Sequence, residues 1–285
     1  RSCSRIRRAG SSTRSNRVIL PSSGGGAAAK GAGTAADGDS VLEHPMARPY
    51  EPPDYGARSP IPAYDLGRVP YAAALQFQRR AVEARAQGRA PDVLYFMEHD
   101  PVITVGRAGH SGNLRLSAAE YQLRGVEVVA VERGGDVTYH GPGQLIGYPV
   151  VALDNLPCGR DLHRYLRDLE EGVIRAVATY GLPAERRPPY TGVWVGPRKI
   201  AAIGVAVRRW IAFHGFALNV DPNLAHFDWI HPCGIRHLGV GSLASLLGAA
   251  PPREEVAARL TDSFTEVWGR QVLISAEDLA PVATT

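Results

Sequence analysis

Seven short runs rich in β-branched and aromatic residues constrain this chain more than any other feature: 93–98, 102–105, 126–132, 144–151, 192–195, 200–207 and 211–218. They cluster instead of alternating strictly with helices. Only three segments carry a clear 3.6-residue apolar period: 70–87, 161–180 and 253–268. Pro70 opens the first, Gly181 stops the second and Pro251-Pro252 precede the third. A doubly wound parallel sheet needs regular alternation of strand and helix. The expected class is therefore α+β, a mixed β-sheet with packed helices.

The expected domain plan has three parts: a leader at 1–60 without a core, one catalytic domain at 61–275, and a tail at 276–285. Residues 22–36 are rich in Gly, Ala and Ser, and 45–62 hold six prolines. Such composition offers too little apolar surface to offset ordering entropy. The leader's Arg/Ser bias is that of an organellar transit peptide. The weightier expectation is that Met46 opens the working protein and 1–45 lie upstream of it. The expected location is cytoplasmic, or mitochondrial if the leader is a genuine transit peptide.

Charge narrows the function classes. The formal net charge is +4, but residues 1–45 hold seven basic and three acidic groups, leaving 25 of each sign in 46–285. The basic pI therefore gives no support to a nucleic-acid surface on the body. No apolar run approaches the roughly 18 residues of a membrane helix, and no P-loop pattern occurs. Cysteine is sparse, at positions 3, 158 and 233, without a CxxC pair, which points to a reducing compartment and not to a disulfide framework.

Of the 32 Lys and Arg residues only two are lysines, Lys30 and Lys199, so Lys199 is the sole lysine of the body. Arginine does not lose its proton or act as a compact, tunable ammonium. A lysine kept in such a background is a candidate for chemistry.

Four segments carry unusual mixtures of residues. Positions 133–144, RGGDVTYHGPGQ, hold four glycines and a proline and are expected to break regular structure between two strands. Arg133, Thr138, Tyr139 and His140 would supply converging polar groups. In 196–204, a Gly196-Pro197 turn leads to Lys199 and to small residues at Ala201, Ala202 and Gly204. The run FHGFALNV at 213–220 places Gly215 inside a strand, a mark of close approach by a ligand or backbone. In 228–235, Cys233 stands between Pro232 and Gly234, on a loop and not on a core face.

A nucleophilic cysteine must be a thiolate, and at a pKa near 8.5 only about 3% is ionised at pH 7. A neighbouring ammonium that lowers the pKa by about two units makes most of it thiolate. Lys199 fits that role. A Cys–His pair with His140, His214 or His231 is the competing arrangement. Zinc ligation by His231, Cys233 and His237 is disfavoured because paired-ligand spacing is missing. Cys158 reads as an inert buried hydrophobe.

At these segments the chain resembles the octanoyltransferases of lipoate biosynthesis, the lipoyl(octanoyl) transferases. The shared strings are RGGDVTYHGPGQ at 133–144, RKIAAIG at 198–204, FHGFALNV at 213–220 and PCG at 232–234, and the likeness runs from about 62 to 273. It implies a fold similar to the catalytic domain of biotin and lipoate protein ligases. It places the family's nucleophile on Cys233 and its activating lysine on Lys199. The family's acyl-binding positions fall on Arg133, Gly134, Gly135, Asp136, Val137, Thr138, Tyr139 and His140, on Ala202, Ile203 and Gly204, and on Gly215, Phe216 and Ala217. One departure is Gly241-Ser242, where the family usually shows Thr-Ser.

The implied donor is octanoyl-acyl carrier protein. The implied acceptors are lipoyl domains of 2-oxoacid dehydrogenase E2 subunits and the glycine cleavage H protein. The enzyme is expected to be a monomer that needs no cofactor, metal, nucleic acid or membrane. Rival readings are an ATP-dependent lipoate or biotin ligase, a non-catalytic acyl-binding module, and a cysteine hydrolase.

Overall fold

Each of the three helical periods forms a helix. The computed structural model describes residues 59–231 and 239–275. Its long helices are α1 (Tyr71–Ala86), α3 (Leu162–Ala178) and α5 (Arg253–Trp268), with short helices α2 (Ala118–Leu123) and α4 (Leu243–Leu247). The Asp161 carboxylate caps α3 by accepting the Arg164 N–H at 2.9 Å. Its buried stripe, Tyr165, Leu169, Val173, Ala176 and Val177, follows the 3.6 period. Helix α5 ends at Gly269 in the left-handed conformation. Pro70 is the N-cap of α1 and not its first helical residue, because its ψ of 138° is extended.

Twelve strands occur among the described residues. In chain order they are β1 (Ile61–Arg68), β2 (Val93–Glu98), β3 (Val102–Val105), β4 (Glu127–Ala130), β5 (Val137–His140) and β6 (Gln144–Ala152), then β7 (Ala184–Arg187), β8 (Tyr190–Val195), β9 (Arg198–Arg208), β10 (Ile211–Asn219), β11 (Gly239–Val240) and β12 (Val272–Ile274). The main sheet runs β12-β1-β2-β6-β10-β9-β8-β7, with β11 added beside β9. It is parallel across β12, β1 and β2 and antiparallel from β2 to β7. Helices α3 and α5 cover one face and α1 the other. A second sheet, β4-β3-β5, stands beside it. This is the expected mixed-sheet α+β class.

One expectation needs correction. Segment 133–144 does not break regular structure throughout, because Val137–His140 pairs with Val102–Val105 as β5. Val-Thr-Tyr is a strong strand triplet, and the glycines fall on either side of it.

The β6–β10 ladder is interrupted where β6 carries Pro149. A proline in a central strand removes a ladder donor. Opposite it, β10 bends away: His214 takes φ 56° and gives its N–H to Gln78 Oε1 of α1 at 2.8 Å. Next to it, a Cβ on Gly215 would stand 2.2 Å from the Gly147 carbonyl oxygen. Only glycine permits that approach.

Candidate active site

A cavity lies between the two sheets. Its wall is built by β5, β6, β9 and β10, with Tyr71 from the start of α1 and Phe227 and Val240 from the following chain. The free space in it and in the solvent at its open mouth together is about 740 Å³. The β9–β10 register aligns Ala202 with Ala217, Ile203 with Phe216, and Gly204 with Gly215. Small residues and bare backbone therefore form the middle of the wall.

Arg133 locks the glycine loop onto both sheets. Its guanidinium, buried, donates to Thr104 Oγ1 and to the Thr104 carbonyl at 2.7–3.1 Å and to the Gly134 carbonyl at 2.9 Å. The Gly134 N–H in turn donates to the Val205 carbonyl of β9 at 2.8 Å. A Cβ on Gly204 would press to 3.0 Å from the Gly134 carbonyl oxygen, and one on Gly106 to 2.4 Å from that of Gly135. The Asp136 carboxylate accepts from the His110 N–H at 3.2 Å and from Asn113 Nδ2.

Lys199 lines the cavity as well. Its Nζ lies 4.9 Å from the centroid of the Trp194 ring, a cation–π geometry. Its stem runs past Gly192, where an added Cβ would stand 2.6 Å from Lys199 Cε. The Gly192 N–H donates to Glu170 Oε1 at 3.0 Å, and that fully buried carboxylate also takes Arg167 and Arg186. Beside Lys199, β11 pairs Gly239 with Arg198 and Val240 with Lys199. Asn219, also in the wall, accepts from Gln144 Nε2 at 2.8 Å and donates to the Gly241 carbonyl at 2.9 Å.

A cluster of rings stands around His140. His140 stacks on Tyr71 with centroids 6.2 Å apart and meets His99 edge-on at 5.9 Å. His99 Nδ1 faces the Val69 carbonyl at 2.7 Å and so must carry the proton. Its Nε2 then accepts from the Tyr148 hydroxyl at 2.9 Å. Burial holds His140 well below the ordinary histidine range and lowers His214 to about 4, so both imidazoles are neutral at pH 7. Burial also raises the Tyr71 phenol to about 12.

Residues 70–265 match the lipoyl protein ligase A/B catalytic domain family. The octanoyltransferase of Rubrobacter xylanophilus is 53% identical over 206 residues, which cover 71% of this chain and 91% of its own. That of Solibacter usitatus is 46% identical, covering 74% of this chain and 94% of its own. The chain belongs to the octanoyltransferase family. As a member it is an acyltransferase, an enzyme of protein lipoylation. Among solved structures, a crystal structure of lipoate-protein ligase A bound with ATP superimposes with a TM-score of 0.64 at 17% identity, over 79% of this chain and 93% of that one. At such identity the likeness is one of fold, and it is the ligase-type fold expected from the motifs.

In this octanoyltransferase the cavity wall brings together Arg133, Gly135, Asp136, Val137, Thr138, His140, Lys199, Ala202, Ile203, Gly204, Gly215, Phe216 and Ala217. Two expected residues stand elsewhere. Gly134 is spent on the bond to β9. Tyr139 points to the opposite face of β5, packed on Phe227 and Trp229, with its hydroxyl 2.7 Å from His226 Nδ1. Cys233, the expected nucleophile, lies outside the described residues, as does His237 of the zinc alternative. Cys158 is buried among core side chains, and burial raises its thiol to about 11.

The residues singled out from the motifs did not include Tyr71, Tyr148, Phe227 or Val240, all of which line the cavity; Gln144 and Asn219 also line it and lie inside the shared strings, though neither was assigned to the site. Gly192 and Trp194 beside Lys199 were passed over as well. For Gly192 a signal existed, a glycine at the head of a strand run. No helix among the described residues is long and apolar enough to cross a membrane.

Proposed function

We propose that the domain spanning 61–275 moves an octanoyl group from octanoyl-acyl carrier protein to a lysine of lipoyl domains through a thioester on Cys233. One observation carries this reading: the body's only lysine and a stretch of small and apolar residues on β9 and β10 line the same cavity.

Chain connectivity supports Cys233 as the nucleophile. It follows His231 by two residues, at most about 7 Å of extended chain. The His231 N–H is held by the Asn113 carbonyl at 2.8 Å, and Asn113 is bonded to Asp136 of the cavity wall. The chain returns at β11, hydrogen-bonded beside Lys199.

In the first step the Cys233 thiolate attacks the octanoyl carbonyl. The new C–S bond replaces the bond to the carrier's phosphopantetheine sulfur, and the departing thiolate takes a proton from Lys199. In the second step the amine of a lipoyl-domain lysine attacks the acyl-enzyme. A C–N bond forms, the C–S bond to Cys233 breaks, and neutral Lys199 accepts the amine proton. The ammonium–thiolate pair is thereby restored. Thioester exchange is nearly neutral and amide formation is downhill, so no nucleotide is required. The acceptors are lipoyl domains of 2-oxoacid dehydrogenase E2 subunits and the glycine cleavage H protein.

Intact-mass analysis after mixing with octanoyl-acyl carrier protein tests both steps. One octanoyl adduct should form and then disappear on adding a lipoyl domain. Cys233→Ala should abolish it and Cys158→Ala should keep it. ATP consumption with free octanoate would replace this reading by a ligase. A stable complex without an adduct would replace it by an acyl-binding module, and release of octanoate to water by a hydrolase.

A further inference from the structure

We propose that Trp194 is a positioning residue for the reaction: its buried ring is the platform that holds the Lys199 ammonium at the cavity wall. The inference rests on the octanoyl-transfer reading above, in which Lys199 carries the protons.

The first observation is one of strand parity. Side chains alternate along a regular strand, so residues three apart point to opposite faces. Lys199 and Ala202 are three apart on β9, yet both line the cavity. The β8–β9 ladder explains this. Val193 pairs with Ala201, but the next residue, Trp194, pairs with Lys199, which leaves Ile200 as an extra residue on β9, a β-bulge. In an unbroken ladder Lys199 would stand opposite Val195. That valine packs into the core under α3 and α5, as do Val193, Ile200 and Ala201. The bulge instead sets Lys199 opposite Trp194 and turns it toward the cavity.

The second observation is the ring itself. Lys199 Nζ stands over it, 4.9 Å from its centroid, where the negative face of an aromatic ring attracts a cation. The ring is a fixed platform: Trp194 is fully buried and packs on Tyr190 with centroids 6.5 Å apart. Its Nε1 is buried without a hydrogen-bond partner. A buried indole N–H normally finds one, and leaving it unpaired costs stability that Phe or Leu at this position avoids. What the indole offers in return is the strongest face for a cation among the aromatic side chains. Gly192, two residues earlier on β8, leaves room for the stem, since a Cβ there would stand 2.6 Å from Lys199 Cε. Behind it the Glu170 carboxylate is taken by Arg167, Arg186 and the Gly192 N–H. Bulge, glycine and indole thus act on one side chain.

Two measurements test this. The first uses the unmodified full chain carrying lysine labelled with carbon-13 at Cε. Two lysines give two signals, from Lys30 and Lys199, and Lys199→Arg assigns them. The Lys199 Cε protons should lie upfield of those of Lys30, because the indole ring current shields what stands over its face. Coincident signals in the parent would overturn the proposal, whether or not any variant folds. The second compares Trp194→Phe with Trp194→Leu. Both shrink a core side chain and should melt below the parent, but only Phe keeps a ring face. Single-turnover acylation at pH 7 should fall about tenfold or more in Trp194→Leu, with its thiolate limb moved up by about one pH unit, and stay within about threefold of the parent in Trp194→Phe with the limb in place. Equal losses in the two variants, or a limb that does not move in Trp194→Leu, would overturn it. Absence of any octanoyl adduct in the parent would sink the transfer reading itself, whereas an adduct that forms equally well in both variants sinks only the role of Trp194.

Discussion

Removing the Glu170 carboxylate should damage stability and chemistry together, for one structural reason. The group is fully buried on α3 and receives three donors: the Gly192 N–H at 3.0 Å, Arg186 Nε at 3.1 Å and Arg167 Nη1. Breaking a buried ion pair by deleting one partner typically costs about 3–5 kcal/mol. Here the two arginines are 43% and 32% exposed and can turn to water, so the lower end applies, about 3 kcal/mol. At roughly 2–4 °C per kcal/mol for a domain of this size, Glu170→Ala should melt about 6–12 °C below the parent.

The chemical effect follows from Gly192. Glu170 holds this glycine, and the glycine borders the Lys199 stem. Freed from its anchor, the β8 backbone no longer fixes where the ammonium stands. Single-turnover acylation at 25 °C, followed against pH, should slow and shift its thiolate limb upward in Glu170→Ala. Glu170→Gln keeps an oxygen for the Gly192 N–H, so it should lose stability yet retain most of the acylation rate and its pH profile. A drop in melting temperature with an unchanged profile in Glu170→Ala would break the link to Lys199. A drop under about 2 °C would show that the ion-pair magnitude is wrong.

Lys199→Arg should separate the half-reactions. Acylation of Cys233 should persist in part, since the charge remains, while transfer to the lipoyl domain should fall much further because guanidinium is no base; equal losses would leave Lys199 a purely electrostatic role. His214, lowered to about 4 in the fold against 6.5 unfolded, should make the protein acid-sensitive. The unfolded chain takes the proton more readily, so stability is level above pH 6.5 and falls toward pH 4 by up to roughly 3 kcal/mol. Urea melts from pH 7.5 to 4 should show a shallower fall in His214→Asn, and identical slopes would remove His214 from the account.

The helices were legible because a 3.6-residue apolar stripe is a local signal. The central strands were legible because each is a dense run of β-branched residues. What escaped is what long-range pairing decides. Segment 184–187, Ala-Glu-Arg-Arg, has no strand signature, yet it forms β7 because the edge of β8 offers it a ladder. Strand β1 was obscured by Pro62, tolerated near its start, and is held by β2 on one side and β12 on the other. Helix α2 also escaped, because six residues are too few to show a period; in the structure Ser117 and Glu120 form a capping box at its start. The site shows the same division. Its glycines are visible in sequence because close approach demands them, as at Gly204 and Gly215. Tyr71 and Tyr148 reach the same cavity from α1 and β6, and nothing near them in sequence says so. Tyr139 was misplaced because a string does not show where each side chain packs: its ring sits against Phe227 and Trp229, whereas His140 lines the cavity.

The division of labour between arginine and lysine follows from the same geometry. Arg133 grips Thr104, Arg253 takes Asp65 with two nitrogens, and Arg270 reaches Asp92 and the Ser59 carbonyl. Each uses the planar fork that lysine lacks. Lys199 needs the opposite properties, a slender stem that passes Gly192 and a compact charge over Trp194. In the proposed cycle the Trp194 face and the Cys233 thiolate both favour its proton. Acylation of Cys233 abolishes the second, because a thioester carries no charge. The proton affinity of Lys199 therefore drops as the acyl-enzyme forms, which is the stage at which the incoming amine needs a base. On this argument the substrate itself switches the lysine from ammonium to amine, and an arginine, whose proton is held at every stage, could complete only the first half of the cycle.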